Sequence, residues 1–111
     1  MPVTWALRVF IPVKLINDKM HDGSRNFILL PVGSTAPVRL LLRVMTLWGA
    51  FPTAYIPGFS ESWIDFRYKK YKFSINNQYG DFWFFVEQSN CPEEILIEIA
   101  NHFAGVLGEN P

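Results

Sequence analysis

The sequence predicts a two-layer α+β protein, an antiparallel β-sheet with two α-helices packed on one face. Three observations carry this. Residues 64–87 alternate apolar and polar side chains at the strand period, with parity changes that mark turns. Residues 91–107 repeat apolar side chains at the helical period. Residues from about 37 to 48 are apolar around most of a helical circumference, so that helix should be covered on most sides.

In chain order, Val3, Trp5, Leu7, Val9 and Ile11 alternate with Thr4, Ala6 and Arg8, which reads as a strand. Pro12 ends it or places it at a sheet edge. Residues 17–26 (NDKMHDGSRN) read as a polar loop, and Phe27 to Val32 as a short strand. Ser34, Thr35 and Pro37 mark a helix start: a capping hydroxyl, then proline in the first turn where its missing N–H costs nothing. That helix should stop at Gly49. Thr53 to Ile56 is a short strand and Pro57-Gly58 a turn.

The meander at the sheet's centre comes next. Ile64, Phe66 and Tyr68 share one parity, and Tyr71, Phe73 and Ile75 the other, so the chain must turn at Lys69-Lys70. A two-residue turn there pairs Tyr68 with Tyr71, Phe66 with Phe73 and Ile64 with Ile75. Two lysines suit a type I′ turn poorly, which leaves a longer loop open. A turn at Asn77-Gln78-Tyr79-Gly80 sets Ile75 against Phe82, Phe73 against Phe84 and Tyr71 against Val86. Asn90 and Glu93 read as a capping box for the last helix, with Pro92 in its first turn and Gly108 at its end. The expected order is β-β-α-β-β-β-β-α in a single domain, 1–111.

This pairing sends the apolar meander residues to the face under the helices. The opposite face then carries Asp65, Arg67, Lys72, Ser74, Trp83 and Phe85. Two neighbouring aromatics on a mostly polar face form a patch that needs a purpose. Three purposes compete: cover by the N-terminal segment with Trp5, a homodimer seam, or a site for a ligand or partner.

The totals bound the function. With 111 residues, half of them hydrophobic and only 18% charged, the chain should keep surplus apolar surface for a partner, often a second copy. Ten basic and ten acidic residues cancel, which argues against nucleic acid and membrane surfaces. RYKKYK, residues 67–72, could stack single-stranded nucleic acid, but its tyrosines belong to the core face and its lysines to a turn. A lone cysteine permits no internal disulfide, and no leader or membrane-spanning segment is legible; a cytoplasmic location is expected.

No catalytic constellation emerges. Cys91 sits at a helix start, but His102 lies about 16 Å along the same helix and Glu93 and Glu94 oppose a thiolate. Asp18, His21 and Asp22 match no metal motif, and His102 reads as a boundary residue. Asp65 beside the patch has no paired carboxylate. No cofactor or metal is expected. The reading is a non-enzymatic accessory protein that forms a homodimer or binds another protein, with Trp83, Phe85, Asp65, Arg67 and Lys72 as its face. The alternative is a binder of a small apolar or aromatic ligand, or an enzyme. Its pocket would lie between the first helix and the sheet or at a dimer seam, lined by Trp48, Tyr55, Tyr79, Trp83 and Phe85, with Arg39, Arg43 or Asp65 for polarity.

Overall fold

The computed structural model describes residues 15–30, 36–58, 61–79 and 81–108, with the backbone alone at 78, 79 and 106–108. Their strands are β1 (Asp18–Lys19), β2 (Arg25–Leu30), β3 (Phe51–Ile56), β4 (Trp63–Tyr68), β5 (Tyr71–Tyr79) and β6 (Asp81–Val86). Helix α1 (Pro37–Met45) joins β2 to β3, and α2 (Glu93–Gly108) follows β6. The strands form one antiparallel sheet in the order β1-β2-β6-β5-β4-β3. The fold class is α+β, as the alternation implied. The expected strand at residues 3–11 lies outside the described residues.

The β4–β5 hairpin has the expected register: Tyr68 opposite Tyr71, Phe66 opposite Phe73, Ile64 opposite Ile75. The turn is tight in spite of its lysines. Lys69 and Lys70 both take positive φ, 49° and 64°, in the left-handed region that a type I′ turn demands. Lys69 is held there by Glu98, 3.0 Å away, and lies 5.3 Å above the Tyr68 ring.

The β5–β6 register differs from expectation by two residues. Phe73 faces Val86 and Ile75 faces Phe84, because β5 runs on to Tyr79, opposite Asp81, so the turn lies further along the chain, with an irregularity between Asn76 and Tyr79. A shift of two preserves parity, so every side chain keeps its face.

Residues 17–26 are more ordered than a polar loop. Asp18 pairs with Asn26 and Lys19 with Arg25, around a turn in which Gly23 adopts φ +90°. Strand β2 bulges between Asn26 and Ile28 where it meets β6. The buried Asn26 amide spans the bulge, donating to the carbonyls of Ile28 (3.2 Å) and Phe84 (3.0 Å). Arg25 is buried too. Its guanidinium donates to the Ile16 carbonyl through Nε and Nη2 and to Glu93 at 2.5 Å, so the charge is paired.

Helix α1 ends earlier and α2 begins later than expected, while α2 stops at Gly108 as expected. The N-cap of α1 is Ala36, which has no capping side chain, and Pro37 opens the first turn. The helix stops at Met45 rather than Trp48. The Arg43 carbonyl is already occupied by the Thr46 hydroxyl (2.8 Å) and the His102 ring (2.8 Å), and the Leu47 N–H turns back to Val44 instead. Helix α2 begins at Glu93, two residues after the predicted start. The Pro92 carbonyl accepts from Ile95 and Leu96, and Glu93 engages Arg25 rather than closing a capping box with Asn90.

The core lies between one face of the sheet and the helices. It gathers Phe27, Ile28, Ile64, Phe66, Phe73, Ile75, Phe82, Phe84 and Val86 from the strands. Leu40 and Val44 enter from α1, and Leu96, Ile99, Ala100 and Phe103 from α2. Phenylalanines knit the layers: Phe84 meets Phe103 edge-on at 5.0 Å, and Phe66 stacks on Phe73 at 5.2 Å.

Candidate interaction face

Strand registers alone lay out the face away from the helices. Reading across the sheet, one row runs Leu29, Trp83, Asn76, Trp63, Ile56. The next runs Asn26, Phe85, Ser74, Asp65, Ala54. A third holds Lys72, Arg67 and Phe51. Alternation thus brings Trp83, Phe85, Asp65, Arg67 and Lys72 together, because odd positions of β4 and β6 and even positions of β5 share this side.

The side chains then set the chemistry. Trp83 and Phe85 stack at 6.1 Å with an interplanar angle of 29°, both half-buried. The Trp63 indole N–H donates to Asp65 at 2.7 Å, which ties that carboxylate to the ring. Arg67 and Lys72 are exposed directly opposite each other. Asn76, between the two tryptophans, is only 2% exposed. Backbone bonds at the strand ends position Lys72: its carbonyl accepts from the Glu87 N–H (2.8 Å) and its N–H donates to the Gln88 side chain (3.1 Å).

A groove of about 740 Å³ crosses this face. Trp63, Asp65, Arg67 and Thr53 line one end, and Lys72, Ser74, Asn76 and Phe85 its middle. Met20, His21, Asp22 and Ser24 close the other end, with Glu87. Asp22 accepts from the Ser24 N–H (3.0 Å) and hydroxyl (2.7 Å), which hold its carboxyl below the ordinary carboxylate range and fix the loop. The volume is in the range of small-molecule sites, and the lining mixes aromatic walls with a few charges.

Among the described residues, the side chains expected to line a pocket between the first helix and the sheet do not come together. Trp48 lies beyond the end of α1 and is 94% exposed, while Tyr55 faces the core side, opposite Ile64. Trp83, Phe85 and Asp65 are on the other face of the sheet. Arg43 donates to the His102 carbonyl at 3.0 Å, and Arg39 is exposed on α1. The Tyr79 side chain lies outside the described residues.

The other chemical candidates have structural surroundings. Burial lifts the Cys91 thiol to about 11, outweighing the opposing pull of Arg25, so it stays protonated near neutral pH. His102 is half-buried, its Nε2 bonded to the Arg43 carbonyl. Among the described residues no three histidine, cysteine, aspartate or glutamate side chains cluster as a metal site would require. Among the described residues no helix is long and apolar enough to cross a membrane.

Sequence reasoning overlooked Trp63, Asn76, Leu29 and the groove-closing loop Met20–Ser24. Trp63 has the parity of Asp65 and was legible once β4 was extended by one residue. Leu29 and the loop reach this face through the pairing of β2 with β6, a contact between strands more than 50 residues apart that no local pattern announces.

No known protein family, curated protein or solved structure matches this chain.

Proposed function

We propose that this protein is a non-enzymatic interaction module that docks a protein partner across the sheet face away from its helices. One observation carries the proposal: Trp63, Trp83 and Phe85 lie half-exposed in adjacent rows, flanked by Asp65, Arg67 and Lys72. Aromatic anchors beside an arginine, with charges at the rim, are the composition of interface hot spots. The rigid sheet holds them in place before any partner arrives, which lowers the entropy cost of binding. The balanced charges of this face favour a partner with mixed charge over a polyanion.

The test compares bait proteins. Wild type and Trp83→Lys are used to capture partners, with circular dichroism confirming that the variant folds. A specific protein retained by wild type and lost by Trp83→Lys supports the docking face. A partner set unchanged by Trp83→Lys and by Phe85→Lys removes it.

The groove volume favours one second reading, a small apolar or aromatic ligand seated over Phe85 and Trp63. Ligand binding to the native state raises the thermal midpoint. A metabolite screen that yields a midpoint shift abolished by Phe85→Ala would favour this reading; a blank screen would set it aside.

A further inference from the structure

Helix α1 carries twice the apolar surface that the chain's own core uses. At 100° per residue, its apolar positions span roughly 200° of the helical wheel, and Arg39 and Arg43 occupy the remainder. A surface helix needs a stripe of about half that width. Leu40 and Val44, with Leu41 beside them, take the part facing the core. Val38, Leu42 and Met45, spaced i, i+4, i+7, form a second stripe that remains 50%, 54% and 61% exposed. The exposure continues past the helix end at Trp48 (94%).

We infer that this stripe is a homodimer interface, in which α1 packs antiparallel against α1 of a second copy, separately from the docking face proposed above. The area is sufficient. Trp48 alone exposes on the order of 200 Å², and the three helix residues add roughly 150 Å². The smaller specific interfaces bury about 600 Å² per partner, a little over half of it apolar, or about 350 Å². The stripe is also self-complementary. An antiparallel pair centred near Leu42 sets Val38 of each copy against Met45 of the other. It also brings Arg39, in the unfavourable first turn of its own helix, toward the carbonyl end of the other helix. The chain's zero formal charge lets two copies meet without net repulsion and offers an anionic membrane no attraction. Edge-to-edge sheet extension is a poorer route, because edge strand β3 holds Pro52 and a register irregularity between Pro52 and Ala54.

Absolute mass by light scattering behind size exclusion tests this over a hundredfold concentration range. The wild type should elute at twice 12.8 kDa, and the Leu42→Glu/Met45→Glu double variant at the monomer mass, with an increase in Kd of at least about 100-fold. Trp83→Lys should remain dimeric. Because Leu42 and Met45 are exposed in the single chain, the double variant should retain its circular dichroism; Trp48→Ala, milder still, should raise Kd by about tenfold or more. A wild type that is monomeric at every concentration overturns the proposal, as does a double variant that stays dimeric. Loss of the dimer in Trp83→Lys instead would overturn it as well and move the seam to the other face, while leaving partner capture by the docking face to its own test.

Discussion

The two faces of this sheet come from the same strands and both carry aromatic rings, yet they use them differently. Under the helices, Phe27, Phe66, Phe73 and Phe84 are fully buried and meet in edge-on and stacked pairs with one another and with Phe103. On the other face the rings of Trp63, Trp83 and Phe85 remain half-exposed, and the buried groups there are amides, Asn26 and Asn76. Apolar burial on one side is non-directional and large. Polar burial on the other is directional: the Asn26 amide holds a bulge closed through two carbonyls. One face supplies stability, and the other is free to present side chains.

Neighbouring phenylalanines on β6 give the strongest test of that division. Phe84→Ala empties a site enclosed by Phe27 and Phe103 and should cost about 3–5 kcal/mol. Phe85→Ala, one residue on, should cost less than about 1 kcal/mol, because its ring is half in solvent already. Urea midpoints of the two variants measure the contrast. Equal losses would mean that the outer face is packed as a core and cannot serve as a docking surface.

A smaller effect sharpens the comparison from the polar side. Asn26→Ala leaves the carbonyls of Ile28 and Phe84 without their buried donor and should destabilise by about 1–3 kcal/mol. It should therefore exceed Phe85→Ala although it removes far less apolar surface. A loss below that of Phe85→Ala in the same urea titration would deny the bulge its structural role.

What the sequence disclosed follows the same division. Parity assigned every residue of Ile64–Val86 that it addressed to its face, and the two-residue register error between β5 and β6 left those assignments intact. Trp83, Phe85, Asp65, Arg67 and Lys72 were placed together on that basis. Positions decided by tertiary contacts were not legible. The early end of α1 depends on His102, which reaches the Arg43 carbonyl from 59 residues away. The first turn of α2 depends on Arg25, 68 residues from Glu93. The second apolar stripe of α1 reads as core in any local pattern, because hydrophobicity alone does not say which of two faces the chain will cover.

The smallest expected effect concerns the hairpin tip that belongs to neither face. Left-handed backbone costs an L-residue with a Cβ about 1–2 kcal/mol, and Lys69 and Lys70 both adopt it. Lys69 recovers part of this through Glu98 and the Tyr68 ring. Lys70 is simply exposed at the second turn position, where type I′ turns favour glycine. Lys70→Gly relieves the strain but gives the unfolded chain more freedom, worth up to about 1 kcal/mol. The net should be a gain of about 0.5–1 kcal/mol. Lys70→Ala keeps the Cβ and should gain nothing, so the pair isolates backbone strain from loss of the lysine charge. If both variants gain equally in thermal midpoint, charge rather than φ limits this turn. If neither gains, the hairpin is held open at a longer loop in solution, and the Phe66–Phe73 register that both faces depend on is maintained by cross-strand packing alone.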